Sequence, residues 1–254
     1  MSQTVSKADS KVVKKKNELV ETIIVIVEAL IIALLFRTFL YQPFSIPTAS
    51  MQSTLMIGDY FIANKWAWGY GKYSFPLPLP FNGRILGNLP NRGDVAVFRN
   101  EITNEDYIKR VIGMPGDRIQ MKAGRLYING TMVEREQIGT STDTDSYMTT
   151  EPVTLYTETL PNGVKHTIQE ISDNGSLDNT AEYVVPAGHY FMMGDNRDRS
   201  ADSRVLSQVG YVSGDNLIGK AEARFFSIKN NLPPWQLWEW PANVRWDRMF
   251  QSVN

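Results

Sequence analysis

The sequence predicts a mainly β protein carried on a single N-terminal transmembrane helix. Three observations predict it. One long apolar run stands near the N-terminus, short alternating runs follow it, and no long amphipathic helix pattern appears beyond it. The 254 residues make one large or two small domains. Lys and Arg number 26 against 27 Asp and Glu, which argues against a global role with nucleic acid or acidic substrates. No cysteine is present, so disulfides, thiolate metal sites and a cysteine nucleophile are excluded. The two histidines, His166 and His189, are too few for most metal sites and lie in no HExxH arrangement.

Residues 1–18 read as a disordered basic tail. Residues 19–41 form the anchor, centred on "IIVIVEALIIALLF" with the single charge Glu28. As a helix this segment spans roughly 34 Å, enough to cross a bilayer. Its eleven central Ile, Val, Leu and Phe residues contribute about −3 to −7 kcal/mol to insertion, against about +3 for a central acid. The long leader argues against a cleaved signal peptide, and the lack of a polar face argues against a buried soluble helix. Glu21 and Glu28 share a helix face, read most simply as tolerated acids in one span. Lys7, Lys11, Lys14, Lys15 and Lys16 precede the run, and only Arg37 follows before Lys65. Positive-inside reasoning therefore puts the N-terminus in the cytoplasm and the rest outside.

The exported part divides into β core at 42–135, a polar insert at 136–181, and more β core with a C-terminal aromatic segment at 182–254. Strand patterns include "DVAVF", "DYIKRVI", "RIQM", "RLYING", "EYVVP" and "HYFMM", with turn signals at "PGD" and "NG". The hydroxyl-rich insert reads as peripheral loops, and its His166 is expected to be exposed. "WAWGYGKYSFPLPLPF" and "WQLWEWPANVRW" are rich in aromatics and poor in charge. Both suit a surface dipping into lipid headgroups, and core packing is the alternative. Pro76, Pro78 and Pro80 argue against a regular core strand in the first.

Three stretches carry the chemistry. "FSIPTASMQSTLMIGDY" at 44–60 offers hydroxyls just past the anchor, but serine needs a neighbouring base. In "DYIKRVIG", a period of two puts Tyr107, Lys109 and Val111 on one face and Ile108, Arg110 and Ile112 on the other. Lys109 is thus flanked by apolar bulk, and desolvation would lower its pKa toward that of a usable base. A solvated edge-strand lysine is the alternative. "GDNRDRSADSR" at 194–204 reads either as an ion-paired surface loop or as a polar scaffold that positions a buried group. A Ser-His-Asp triad is disfavoured: no GxSxG elbow is present, and His189 falls in a strand-like run where a structural role is expected.

Together these stretches resemble the serine, lysine and C-terminal boxes of the type I signal peptidases, with "RGDVAVF" and "VPAGHYFMMGDN" as flanking strands. The resemblance covers about residues 21–220. It implies a coiled, β-barrel-like extracytoplasmic catalytic domain with a smaller β insert, at the bacterial inner membrane. It implies Ser50 as nucleophile and Lys109 as general base. Ser200 would hydrogen-bond the amine, and Thr48 would contribute to the oxyanion hole where relatives often have Ser. Asp202 and Arg204 match a supporting ion pair, and Gly194 a tight backbone position. Phe44, Ile46, Pro47, Met51, Leu55, Tyr107 and Ile108 fall on the substrate pocket, which favours small residues at the last and third-last positions of a signal peptide. An acyl-enzyme follows from the serine nucleophile. Exported preproteins are the implied substrates, with the lipid bilayer and the protein-export machinery as surroundings; no nucleic acid, metal or cofactor is implied. Arg199 departs from the Asn of many relatives. This chain shows one apolar span where larger relatives have two, and it lacks the cysteines of a disulfide some relatives carry in the insert. Two other readings stand beside this one: a self-cleaving dyad protein, and a tethered β-domain that binds exported chains without cutting.

Overall fold

The structure, a computed structural model, describes residues 5–75, 80, 81, 83–144, 150–229, 232, 233 and 235–253. Pro76 and Pro78 lie outside the described residues. A helix, α1 (Val5–Phe39), opens the fold. The basic tail is therefore helical from Val5, not disordered, because helix propagates cheaply from the stable apolar turns that follow it. Within α1, Glu18–Phe39 is long and apolar enough to span a membrane, and none of it is buried against the rest of the chain. Leu30, Ile32 and Leu34 are all more than half exposed. A bare apolar cylinder of this kind is stable in lipid rather than in water.

Short strands follow in chain order: β1 (Tyr41–Ser45), β2 (Asp59–Asn64), β3 (Val95–Asn100), β4 (Glu105–Gly113), β5 (Arg118–Lys122), β6 (Arg125–Ile128) and β7 (Thr131–Met132). After them come β8 (Glu134–Thr144), β9 (Thr150–Thr159), β10 (Lys165–Glu170), β11 (Tyr183–Val184), β12 (His189–Met193), β13 (Val212–Ser213), β14 (Leu217–Ser227) and β15 (Gln251–Ser252). The main sheet runs β1-β2-β14-β3-β4-β12-β13, with β15 added to β14. Smaller sheets run β11-β5-β6-β7 and β10-β9-β8. All the paired strands are antiparallel.

Strand β3 shows why the sequence folds this way. Val95 and Val97 enter one apolar cluster with Phe61, Ala63 and Ile218. Ala96 and Phe98 enter another with Val111, Tyr190 and Met192. Both faces are covered, so the strand reads as a continuous apolar run. Its neighbour β4 is exposed at Glu105 and Asp106 and buried from Lys109 to Gly113, so it runs from the surface into the core.

The aromatic stretches split between surface and core. Trp66 is 59% exposed, whereas Trp68 is buried. Trp235, Leu237, Trp238 and Trp246 of the second stretch are all at least 60% exposed. The first stretch also grips the end of α1. Tyr70 donates its hydroxyl to Phe39 O at 2.6 Å, and the Phe39 ring lies edge-on to Tyr70 and Phe75.

The insert forms strands β8 to β10 rather than loops. His166 is buried, not exposed, because it alternates inward on β10 with Ile168. Its cross-strand partner is Glu158, whose carboxylate lies 3.3 Å from His166 Nε2.

Candidate active site

Ser50 sits in a single 3-10 turn, Ala49–Met51, between β1 and β2. The turn follows Pro47 and begins after Thr48, whose backbone is extended and whose hydroxyl does no capping. That hydroxyl instead lies 3.4 Å from Ser50 Oγ. Met51 and Leu55 on the same segment are fully buried and pin the turn to the core. From the other side Asn196 donates its backbone N–H to Ser50 O and its side-chain amide to Ala49 O, each at 3.1 Å. Three residues past Ser50, Ser53 holds φ at 91°, a conformation that disfavours a side chain. Its hydroxyl donates to Thr167 O at 2.8 Å, so the insert holds this kink.

Strand β4 brings Lys109 to the same point. Its side chain is buried, and Nζ donates to Ser50 Oγ at 2.7 Å and to Ile108 O at 3.0 Å. The Nζ also lies 5.4 Å from the centre of the Tyr107 ring. Burial lowers the amine pKa to about 8; Asp202 and Asp195 oppose that fall, and Arg204 adds to it. The solvated edge-strand alternative is therefore not what the chain adopts. Near pH 8 half the amines are neutral, and a neutral amine accepts from the serine hydroxyl across the same contact.

The loop at 194–204 supplies the charged frame. Arg204 makes a two-pronged contact with Asp202, both bonds at 2.9 Å and both side chains buried. Burial alone would raise the Asp202 pKa, but the Arg204 charge and several hydrogen bonds outweigh it and leave the carboxyl below its ordinary range. Asp202 also accepts the Gly194 N–H at 3.1 Å. A Cβ on Gly194 would lie 2.2 Å from Ser200 Oγ and 2.4 Å from Ser50 O, so only glycine fits. Ser200 is buried beside Asp202 and helps hold that carboxylate ionised, but among the described residues its hydroxyl completes no hydrogen bond of good geometry. The Ser200–Lys109 bond implied by resemblance is thus not formed in this arrangement.

A cleft of about 320 Å³ opens over the pair. Of the residues expected in the substrate pocket, Phe44, Pro47, Tyr107 and Ile108 line it. Ile46, Met51 and Leu55 do not; they lie buried in the core beside Phe61 and Val97. The turn that lifts Ser50 toward the cleft sends its neighbours the opposite way. Sequence reasoning missed the lining residues Val97 and Ala201 and the acids Glu105 and Asp106. Asp106 sits two residues before Ile108 on the period of β4, which was the available signal.

Sequence reasoning also missed the insert's hold on this loop. Asp143 accepts from Asn196 Nδ2 at 2.8 Å, and Glu158 pairs with Arg197 through bonds of 2.5 and 3.0 Å. Arg199, on the cleft wall, reaches Asp143 at 3.4 Å and Glu151 at 2.8 Å. Below them Arg110 clamps Asp195 with bonds of 2.7 and 2.8 Å.

The chain is similar to known proteins over most of its length. Residues 19–226 match the family described as signal peptidase, peptidase S26. A signal peptidase I of Rickettsia akari (strain Hartford) is 39% identical over 245 residues, covering 87% of this chain and 88% of the relative. One from Rickettsia typhi (strain ATCC VR-144 / Wilmington) is 38% identical, covering 87% and 89%. A solved signal peptidase I from Enterococcus faecalis V583 is 25% identical, covering 52% of this chain and 97% of that one, with a TM-score of 0.31. The class defined is thus a serine peptidase with an N-terminal membrane-length helix. The chain belongs to the signal peptidase family, peptidase S26. Members of this family remove signal peptides from preproteins, and this chain is a membrane-anchored hydrolase of that kind.

Proposed function

We propose that Ser50 is the nucleophile and Lys109 the general base of a signal-peptide endopeptidase. The observation that carries this reading is the 2.7 Å contact between a buried amine and a serine hydroxyl. The neutral amine takes the serine proton as Oγ attacks the scissile carbonyl. The Ser50 backbone N–H and the Thr48 hydroxyl face the developing oxyanion. The protonated amine then gives its proton to the leaving amine, and an acyl-enzyme remains. Water attacks the ester with Lys109 as base again and frees the signal peptide. Gly194, Asp202 and Arg204 hold the frame, and Ser200 sits ready to orient the amine once a substrate shifts it.

An extended peptide turns alternate side chains to one wall. Phe44, Pro47, Tyr107 and Ile108 make that wall apolar and shallow, which favours small residues at the last and third-last positions before the cut. Ile46, Met51 and Leu55 back it from the core. The short link from α1 to Ser50 keeps the nucleophile near the bilayer surface, where signal peptides end. In this reading the N-terminus lies in the cytoplasm and the β domain on the extracytoplasmic face of the inner membrane, beside the export machinery. Incubation of the purified protein with a preprotein in detergent tests the proposal. Wild type cuts after small residues, and Ser50→Ala and Lys109→Ala do not. Cleavage at normal rates by both variants would refute the dyad.

A further inference from the structure

A second pocket, about 300 Å³, lies where α1 meets the β domain. Leu34 and Arg37 from the last turns of α1 form one wall, and Gln42, Lys65, Arg99 and Asp106 form the other. Its charges are unbalanced: three cations, Arg37, Lys65 and Arg99, face one carboxylate, Asp106. That carboxylate is already bonded to Arg99 at 2.9 Å. Lys65 is 2% exposed, and among the described residues its Nζ donates to the neutral Gln42 Oε1, at 3.2 Å. Among the described residues Lys65 forms no ion pair.

We propose that this pocket binds the phosphate of an anionic phospholipid, held between Lys65 and Arg37 where α1 leaves the bilayer. A buried ammonium without a counter-ion is costly, and a second cation beside it adds to the cost. Burial lowers the Lys65 pKa to about 8, and the Arg37 charge lowers it further while Asp106 opposes. An anion between the two cations would relieve both penalties and form charge-assisted hydrogen bonds.

The position selects a lipid over free phosphate. The pocket opens at the end of the membrane-length segment Glu18–Phe39. Leu34, 57% exposed, offers an apolar wall that acyl chains cover and inorganic phosphate does not. Phe39, Tyr70 and Phe75 pack together at ring distances of 5.8 to 6.0 Å beside it, the side-chain chemistry of a headgroup layer. This site is separate from the Ser50 cleft, although Asp106 borders both.

The inference rests on α1 lying in the membrane, which carbonate extraction tests by itself. A chain released by carbonate fails the anchoring reading; a chain retained but indifferent to anionic lipid fails only the headgroup site. To test the site, the full chain in nonionic detergent is titrated with dihexanoyl phosphatidylglycerol, dihexanoyl phosphatidylcholine and inorganic phosphate while its thermal midpoint is followed. Phosphatidylglycerol is expected to raise the midpoint saturably, with affinity about ten-fold above that for phosphatidylcholine. Arg37→Gln, on an exposed residue whose change leaves the core intact, is expected to weaken phosphatidylglycerol about ten-fold, and adding Lys65→Met to remove saturable binding. An unchanged response in both variants overturns the site. An equal response to inorganic phosphate overturns the lipid assignment.

Discussion

Two buried lysines mark the two ends of this molecule's working surface. Lys109 lies in the cleft and Lys65 at the junction with α1, and both amines are lowered to about 8, chiefly by burial. Their surroundings differ. Lys109 meets a serine hydroxyl at 2.7 Å, with Asp202 and Asp195 near enough to oppose its loss of charge. Lys65 meets a carboxamide at 3.2 Å, with a like charge on Arg37 beside it. A lowered lysine pKa therefore does not by itself make a base. The group at the end of the amine distinguishes the two: a hydroxyl beside Lys109, and a neutral carboxamide beside Lys65.

The comparison breaks first at the dyad. Ser50→Ala and Lys109→Ala should each lower kcat/KM for a preprotein by about 10³-fold or more, measured in detergent. Next in size is Asp202→Asn. It leaves Arg204 buried without its counter-ion, which should cost about 3–5 kcal/mol in chemical denaturation. It also removes the strongest group opposing deprotonation of Lys109, so the acid limb of the rate profile should move to lower pH. Third, Lys109→Met should stabilise the protein near neutral pH by about 3 kcal/mol. The folded-state pKa of about 8 lies below the 10.5 of an ordinary lysine, so the unfolded chain holds the extra proton between these values. The penalty is fully present below about pH 8 and fades as pH rises toward 10.5, and the variant's advantage in thermal midpoint should fade with it. Smallest is Gly194→Ala, expected to cost about 1–3 kcal/mol in stability and to reduce kcat as the new methyl pushes Ser50 O and Ser200 apart.

The anchor was legible because an apolar run needs no tertiary partner to be recognised. The β core was legible where a short apolar run was bounded by polar and turn residues, as in β3. Lys109 was a harder case. Its strand period placed Tyr107 and Val111 beside it, but burial depends on Ser50, 59 residues away, and only resemblance joined the two. His166 was misread because the polar composition of the insert suggested solvent, whereas Glu158 and Arg197 bury it within an ionic cluster. Arg199 had no visible meaning in the sequence; its partners Asp143 and Glu151 lie in a different sheet. Ile46, Met51 and Leu55 share a motif with Ser50, yet one turn of 3-10 helix separates a cleft residue from core residues. Polar clusters and tight turns are fixed by packing across distant segments, which local pattern does not encode.

The pH dependence of kcat/KM for preprotein cleavage reports the ionisation of the free enzyme's base, and so reads the state of Lys109. The rate is expected to rise with pH through an acid limb centred at about 8 and then level. A limb near 10.5, where an ordinary solvated lysine titrates, would contradict it.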